Sequence, residues 1–447
     1  MHALAAELFP WHRAITGAGL RRTLGRLAEE TPLEVHEVAS GAPIFDFEAP
    51  DEWQIHDAYI AASDGRRVVD YAESNLHVVS HSQPYHGKLT WRELEPHLHS
   101  LPDRPDWIPY RTAFFREEWG FCLRHRDREQ LAERGADQTY EVCIDAAHAP
   151  GALVYGESLL PGETDEEVLF SAHVCHPSLA NDNLSAVVVA AALAQHLARW
   201  PRRKFTYRFL FAPATIGALA WLSRHADQMP HIRHGLVLAQ LGDSGQFTYK
   251  RSRRRDAPID RLVPRVLRER GAAFEIREFE PWGYDERQFC SPGFDLPMGR
   301  LTRTPDGEYP EYHTSADDLS LITPRALAES LDCCLQVVQS LESDPIYVRT
   351  DPYGEPHLAP RGLYAGYGRD AVDPQLQRAV LWLLNLADGR HGLADMVERS
   401  GLPAELLHRA AELCLQHDLV RATNGRGATS SGRTAAGHPP RATVRNF

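Results

Sequence analysis

Apolar runs alternate with amphipathic segments along the central part of the chain. Runs such as VLFSA at 168–172 and FTYRFLFA at 205–212 predict buried strands, whereas 184–199 carries apolar residues at helical spacing. Strands that alternate with helices predict a mixed, mostly parallel sheet flanked by helices. We therefore expect an α/β fold for a discontinuous domain formed by residues 1–52 and 146–345.

A different pattern fills residues 53–145. Short alternating runs such as WQIHDAYI, RRVVDYA and TYEVCIDA are separated by residues that favour turns. This pattern is typical of short strands. We expect a β-rich module that is inserted between the first helix of the chain and the main sheet.

The C-terminal part changes character again. Residues 346–370 are rich in Pro, Gly and Tyr and predict a linker, and residues 371–425 contain three short amphipathic helices followed by a small hairpin. This order predicts a winged-helix-like domain, although a plain three-helix dimerisation module fits the same pattern. Residues 426–447, rich in Gly, Ser, Thr, Ala and Arg, are expected to be a disordered tail.

The bulk composition excludes several classes of protein. The chain has 447 residues and a formal charge of -13, which argues against a nucleic-acid partner held by phosphate neutralisation. The sequence contains neither a secretory signal pattern nor an uncharged apolar run of about 18 residues, so we expect a cytoplasmic protein without a membrane partner. Seven cysteines form no CxxC pair, which favours reduced thiols.

The strongest chemical signal lies in VLFSAHVCHPSLANDNLSAV at 168–187. His173 ends a predicted strand and Asp182 stands just ahead of an apolar helix, so both lie at the sheet edge where open α/β folds bind ligands. Imidazole nitrogens and carboxylate oxygens are ordinary zinc ligands. Taken alone, a hydrogen-bonded histidine and a helix-capping aspartate are the commoner explanation of such a pair.

Three further strings bring polar residues to the same predicted edge. FAPATIGAL at 211–219 turns from a strand into a helix, and GYDERQFCSPG at 283–293 frames an acidic pair beside an arginine. YPEYHTSADDL at 309–319 places His313 in a polar loop ahead of the last helix of the domain. Each string lies after a strand or before a helix, where a sheet would bring them together.

With these strings the chain resembles the bacterial aminopeptidase-like proteins found in polysaccharide-biosynthesis clusters. That family is related to the zinc-dependent exopeptidases of the leucyl aminopeptidase and glutaminyl cyclase type. The resemblance runs from Asp46 to about Val420 and includes DEWQIHDAYI, SNLHVVSHSQP, IPYRTAFF and WGFC of the inserted module. It implies a zinc exopeptidase-like fold for the main domain.

The resemblance also implies a function. By position, His173 resembles the first metal ligand of the zinc exopeptidases, Asp182 the bridging carboxylate and His313 the final ligand. We therefore expect a metallo-aminopeptidase-like hydrolase that cleaves an amide bond of a small peptide or aminoacyl conjugate. A non-catalytic binding or regulatory protein on the same fold and a glutaminyl-cyclase-like acyl transfer enzyme are the alternatives.

Four positions depart from the family pattern. Cys175 stands where an aspartate orients the first ligand, Gln240 where a ligand aspartate lies, and Thr215 where a second glutamate lies. Because two nearby ions need several anionic donors, we expect one zinc ion. Ala214 replaces the glutamate that acts as general base, and loss of a base typically lowers the rate by about 10²–10⁴. A natural loss of the base and its deliberate replacement both fit this alanine.

Further residues are expected to contact the substrate or assist catalysis. Tyr312 is a candidate donor to an oxyanion, and Glu286 is the other catalytic candidate. The substrate-binding candidates are His176, Asp285, Arg287 and Asp243. Arg287 would hold a substrate carboxylate in a bidentate pair if its loop folds over the site. The expected partners are a small peptide-like or aminoacyl substrate and a second copy of the chain.

Overall fold

The structure, a computed structural model, describes residues 1–114, 116–364 and 373–422. The end of the expected linker lies outside the described residues. So do all residues after Ala422, which include the expected tail at 426–447. Among the described residues, no helix combines the length and the apolar character needed to cross a bilayer.

An eight-stranded mixed sheet forms the centre of the protein, and its strands lie in the order β1-β2-β4-β3-β5-β8-β6-β7. In chain order these strands are β1 (Glu34–Ala39), β2 (Ala152–Leu160), β3 (Glu167–His173), β4 (Thr206–Ala212), β5 (Ile232–Leu238), β6 (Phe247–Lys250), β7 (Phe274–Arg277) and β8 (Met298–Thr302). Strands β4, β3, β5 and β8 run parallel, whereas β1 and β2 join antiparallel at one edge. Because the central strands are parallel, the loops that follow them leave the sheet at one edge.

Helices cover both faces of this sheet, so the predicted α/β class is confirmed. They are α1 (His2–Leu8), α2 (Ala18–Glu30), α3 (Ala186–Ala198), α4 (Ile216–Arg224), α5 (Pro258–Glu269), α6 (Glu286–Phe289) and α7 (Pro324–Ser343). Strand β3 is buried along its whole length. Its side chains alternate, with Val168 and Phe170 packing on the α3 and α7 side and Leu169 on the α4 side. This two-sided burial explains the continuous apolar run in the sequence.

The module between β1 and β2 is built on an antiparallel sheet. Its strands lie in the order Arg67–Asp70, Glu52–Ala61, Thr139–Ala149 and Tyr85–Thr90. Short helices at Trp91–Leu94 and His125–Ala132 and a strand pair of Leu98–His99 with Phe121–Cys122 complete the module. Trp53, Phe121 and Tyr140 belong to a core of its own. The module also touches the main domain, because the backbone N–H of Tyr110 donates to the carbonyl of His313 at 2.8 Å.

The C-terminal domain contains the three predicted helices, Pro374–Leu386, Leu393–Ser400 and Ala404–Gln416. Strand Ile346–Arg349 pairs with both Asp388–Gly392 and Val420–Ala422. The first of these strands falls in the segment that the sequence assigned to the linker. The domain docks on α5, where two guanidinium nitrogens of Arg261 donate to the Asp395 carboxylate at 2.9 Å each.

Candidate metal centre

His173 lies at the end of β3, in the middle of the sheet, and its side chain is fully buried. The strand register places it beside Ala212, the last residue of β4. After the loop, a distorted helical turn at Ala180–Ser185 leads into α3, and Asp182 has a non-helical backbone there. In this distorted turn the Asp182 side chain points back to His173. In a regular helix, an aspartate at this position would simply cap the N-terminus.

Three imidazoles converge on the buried carboxylate of Asp182. Nε2 of His173 lies 3.0 Å from Oδ1 of Asp182, and Nε2 of His313 lies 3.0 Å from Oδ2. Nε2 of His176 lies 3.8 Å from the same Oδ2. The structure therefore brings the expected ligands His173, Asp182 and His313 together and adds His176, which the sequence had placed near the substrate.

Imidazole and carboxylate donors of this kind are suited to bind a divalent metal ion. Zinc binds imidazole and carboxylate donors at about 2.0–2.2 Å in a tetrahedron, which separates neighbouring donor atoms by roughly 3.3–3.5 Å. The Asp182 carboxylate lies between these donors, because its Oδ1 faces His173 whereas its Oδ2 faces His313 and His176. His173, His176 and Asp182 form the tightest group, with donor atoms within 4.8 Å of one another. His313 is the outer donor, because 34% of its side chain is exposed.

The protonation states also suit a metal site. Burial alone would raise the pKa of Asp182, but the His176 imidazole and the hydrogen bonds from His173 and His313 hold it well below its usual range. Burial lowers the pKa of His176 to about 3 against the opposing charge of Asp182. The centre therefore presents an ionised carboxylate and a neutral His176 imidazole, which are the forms that bind metal ions.

Gln240 and Tyr284 contact the inner side of this centre. Nε2 of Gln240 donates to Oδ1 of Asp182 at 2.9 Å and to the Tyr284 hydroxyl at 2.7 Å. The Tyr284 ring stacks on His173 at 4.3 Å, and its hydroxyl lies 3.0 Å from that of Tyr312. Sequence reasoning missed Tyr284, although it stands beside the acidic pair in GYDERQFCSPG.

Two aspartates hold the loop that carries Asp182. Asp317 accepts hydrogen bonds from the backbone N–H groups of Asn181 at 2.5 Å and of Asp182 at 3.0 Å. Burial raises the pKa of Asp317 to about 7. Asp243 accepts from Nδ2 of Asn181 at 2.9 Å and from the Thr304 hydroxyl at 2.8 Å. These bonds give Asp243, expected at the substrate, a role in holding the loop. Asp317 was missed, although it stands four residues after His313 in YPEYHTSADDL.

The acidic pair is buried, so it is not a solvated surface pair. Glu286 lies 2.5 Å from Nζ of Lys250 and accepts from the backbone N–H of Tyr284 at 3.1 Å. These contacts let Glu286 position Tyr284. Asp285 is 1% exposed, and neither of its carboxylate oxygens has a partner among the described residues. Burial and the neighbouring Glu286 raise the pKa of Asp285 well above its usual range. Nε of Arg287 likewise has no partner there.

Ala214 and Cys175 contact each other next to His176. The backbone N–H of Ala214 donates to Sγ of Cys175 at 3.3 Å, and this sulfur lies 3.6 Å from Nδ1 of His176. Nδ1 of His173 instead faces the Asn183 amide at 3.2 Å. Cys175 therefore contacts His176, and Asn183 takes the position beside the first ligand. Burial raises the pKa of Cys175, which keeps the thiol protonated.

Aromatic rings cover the exposed side of the centre. Tyr312 stacks on His313 at 4.0 Å, and Tyr110 of the inserted module lies edge-on to His176 and His313 at 5.1 Å each. A cavity of about 700 Å³ opens here, and Tyr110, Arg111, Tyr312 and His313 contribute to its lining. A cavity of about 730 Å³ lies near the C-terminal domain, and its lining includes neither His173, His176 nor His313. Sequence reasoning missed Tyr110, which lies within IPYRTAFF.

The chain is similar to proteins with an aminopeptidase-like fold. Residues 2–344 match a family described as a domain of unknown function (DUF4910), and residues 345–422 match a winged helix-turn-helix family, in agreement with the predicted C-terminal domain. A protein of Clostridium acetobutylicum is 42% identical over 421 residues, which cover 94% of this chain and 96% of that protein. It is described provisionally as a polysaccharide biosynthesis protein with an aminopeptidase-like domain.

Solved structures agree with this picture. A crystal structure of a protein from Clostridium acetobutylicum, provisionally named a peptidase, has a TM-score of 0.79 at 40% identity and covers 94% of this chain and 96% of its own. A zinc aminopeptidase from Bacillus subtilis has a TM-score of 0.57 at 12% identity and covers 76% of this chain and 94% of its own. The second likeness shows the fold alone.

Proposed function

The chain belongs to the DUF4910 family and carries a winged helix-turn-helix domain at residues 345–422, and we propose that it is a zinc-dependent hydrolase of amide bonds in small peptides or aminoacyl conjugates. The observation that carries this proposal is the convergence of His173, His176 and His313 on the buried carboxylate of Asp182. The aminopeptidase-like names and folds of the relatives support the reaction class.

His173, Asp182 and His313 are the proposed ligands of one zinc ion. When bound, zinc supplies a Lewis acid that polarises an amide carbonyl. Two neutral side chains support a single ion, because Gln240 and Thr215 stand where anionic ligands would be needed for a second one. His176 is the proposed substrate contact beside these ligands, and its contact with Cys175 holds its ring.

The tyrosines bind and orient the reacting amide. Burial raises the pKa of Tyr312, so its hydroxyl stays protonated and acts as a hydrogen-bond donor. Tyr312 stands beside the exposed ligand His313 at the cavity, where it can donate to charge that develops on the carbonyl oxygen. Tyr284, held by Glu286 and Gln240, keeps the Tyr312 hydroxyl in place.

Asp285 is the proposed partner of the substrate's amino group. Its carboxylate is buried and unpartnered in the described part of the chain. Gln288 of α6, which follows Asp285, contacts Thr215 at 3.4 Å, so the acidic loop lies against the turn that carries Ala214. An ammonium group would stabilise the ionised form of this carboxylate.

Ala214 limits the rate of the proposed reaction. A methyl group accepts no proton, so turnover is expected to be about 10²–10⁴ slower than with a carboxylate base. The same alanine favours a second candidate, a binding or regulatory protein that retains the fold without chemistry. Glutaminyl-cyclase-like acyl transfer at one zinc is the third candidate.

Metal content and hydrolysis of aminoacyl amides test the proposal together. We expect one zinc ion per chain and slow hydrolysis that is abolished by a chelator and restored by zinc. His173→Gln and His313→Gln should weaken zinc binding by more than about 100-fold, whereas His176→Gln should weaken it by about tenfold or less. Absence of zinc binding in the unaltered chain would overturn the proposal.

A further inference from the structure

Arg13 is a buried cation without a countercharge. It lies in the segment between α1 and α2 and is 1% exposed. Its NH1 donates to the carbonyl of Leu8, but its NH2 has no hydrogen-bond partner in the described residues. Burial lowers the pKa of Arg13 to about 9. Among the described residues, no carboxylate forms an ion pair with this guanidinium.

The segment that carries Arg13 lies against the metal centre. The Ser178 hydroxyl, two residues after His176, donates to the carbonyl of Phe9 at 3.0 Å. Helix α1 packs on the turn Ala180–Ser185 that carries Asp182. The positive charge of Arg13 acts on both His176 and Cys175, where it opposes protonation of the imidazole. The unused guanidinium nitrogen thus belongs to the surroundings of the proposed site.

An isolated charge inside a protein is unfavourable unless a partner neutralises it. A guanidinium is suited to bind a carboxylate through two parallel N–H donors, and it keeps its charge at neutral pH. Arg208, another buried arginine of this protein, has such a partner in Glu167 at 2.7 and 2.8 Å. The missing carboxylate of Arg13 is therefore best supplied by a ligand.

We infer that Arg13 binds a carboxylate of the substrate, which makes a dipeptide or another small amide with a free carboxylate the substrate class of this site. The inference rests on the proposed function and adds the group that the substrate must carry. Asp285 is the complementary charge. Arg13 belongs to the N-terminal segment that contacts Ser178, whereas Asp285 belongs to the loop that lies against the turn carrying Ala214. A ligand with an ammonium group at one end and a carboxylate at the other matches this pattern.

Binding of L-alanyl-L-alanine and of its C-terminal amide to the full-length chain supplied with zinc tests the inference by calorimetry. In the unaltered chain, the amide should bind about 10- to 100-fold more weakly, because a charge-assisted contact is lost. In Arg13→Met, the two Kd values should agree within about threefold. Arg111→Met is the matched control, because Arg111 is an exposed arginine that lines the cavity, and it should retain the full discrimination.

Arg13→Lys serves as a second variant if Arg13→Met unfolds. It keeps the positive charge but lacks the planar guanidinium that binds a carboxylate through two donors. Lysine should give an intermediate discrimination at a Tm close to that of the unaltered chain. Equal binding of both ligands to the unaltered chain, no binding of alanyl-alanine at millimolar concentration, or full discrimination in Arg13→Met would each overturn the inference. Calorimetry measures binding and needs no turnover. If the Kd values of the two ligands differ in the unaltered chain but not in Arg13→Met, and no alanine is released, the result supports this inference and counts against the proposed hydrolysis.

Discussion

The side-chain amide nitrogen of Gln240 lies 2.9 Å from Oδ1 of Asp182 and donates to it. A neutral donor thus occupies the place beside the central carboxylate where a second acidic ligand would stand. An aspartate there would repel Asp182 unless a further cation lay between the two carboxylates. The amide avoids that repulsion, and this relationship supports our proposal of a single ion.

Gln240→Asp is expected to raise the zinc content from one ion to two per chain when zinc is supplied in excess. The new carboxylate adds the anionic donor that a second ion requires. Elemental analysis by mass spectrometry measures the ratio, and Gln240→Asn, which keeps a neutral amide, should remain at one ion. Two ions in the unaltered chain would contradict this explanation.

Tyr312→Phe tests the proposed oxyanion donor in the background of Ala214→Glu, where turnover is fast enough to divide into kcat and KM. We expect kcat to fall by about 10²–10³ with little change in KM, because the hydroxyl acts on charge that develops in the transition state. Tyr110→Phe is the control, because the Tyr110 ring contacts the histidines and the variant keeps that ring. If kcat fell to a similar extent in both variants, the loss would reflect a general disturbance of the site and not the Tyr312 hydroxyl.

The buried histidines predict that the metal-free protein loses stability in acid. Burial lowers the pKa of His12, His81, His176 and His234 from 6.5 to about 3. Above pH 6.5 these side chains are neutral in both states and add no pH dependence. Between pH 6.5 and about 3 the unfolded chain binds more protons, so the free energy of unfolding falls as the pH falls.

His234→Gln tests this slope away from the metal centre, because His234 lies on β5 near the C-terminal domain. Urea unfolding between pH 5 and 7.5 should show a slope reduced by up to about 1 kcal/mol per pH unit in this variant. His408→Gln, at an exposed helix position, should leave the slope unchanged. An unchanged slope in His234→Gln would contradict the assignment.

Periodicity in the sequence was sufficient to predict the main sheet, its covering helices and the three C-terminal helices. The apolar run that ends at His173 is buried on both faces, which is the case that a continuous apolar pattern identifies. Strand Ile346–Arg349 escaped prediction because it has four residues and gains its hydrogen bonds from partners more than thirty residues away. Its formation depends on tertiary packing more than on local preference.

The candidate site shows the same contrast between residues that the sequence identifies and residues whose role depends on tertiary packing. The resemblance to the zinc exopeptidases pointed to His173, Asp182 and His313, because these residues stand at the positions of its motifs. Tyr284 and Arg13 carry no such signal, since a tyrosine beside an acidic pair and an arginine between two helices are common on surfaces. Their roles arise from burial and from contacts that join distant parts of the chain.

Hydrolysis of aminoacyl amides by the unaltered chain and by Ala214→Glu, with zinc measured in both, tests the central claim most directly. We predict that the glutamate raises kcat by about 10²–10⁴ at unchanged zinc content, because it restores the missing proton acceptor. Ala214→Gln, which has the same shape without the carboxylate, should stay at the rate of the unaltered chain. A folded, zinc-loaded Ala214→Glu protein with no gain in kcat would contradict the claim and favour a binding protein on the aminopeptidase fold.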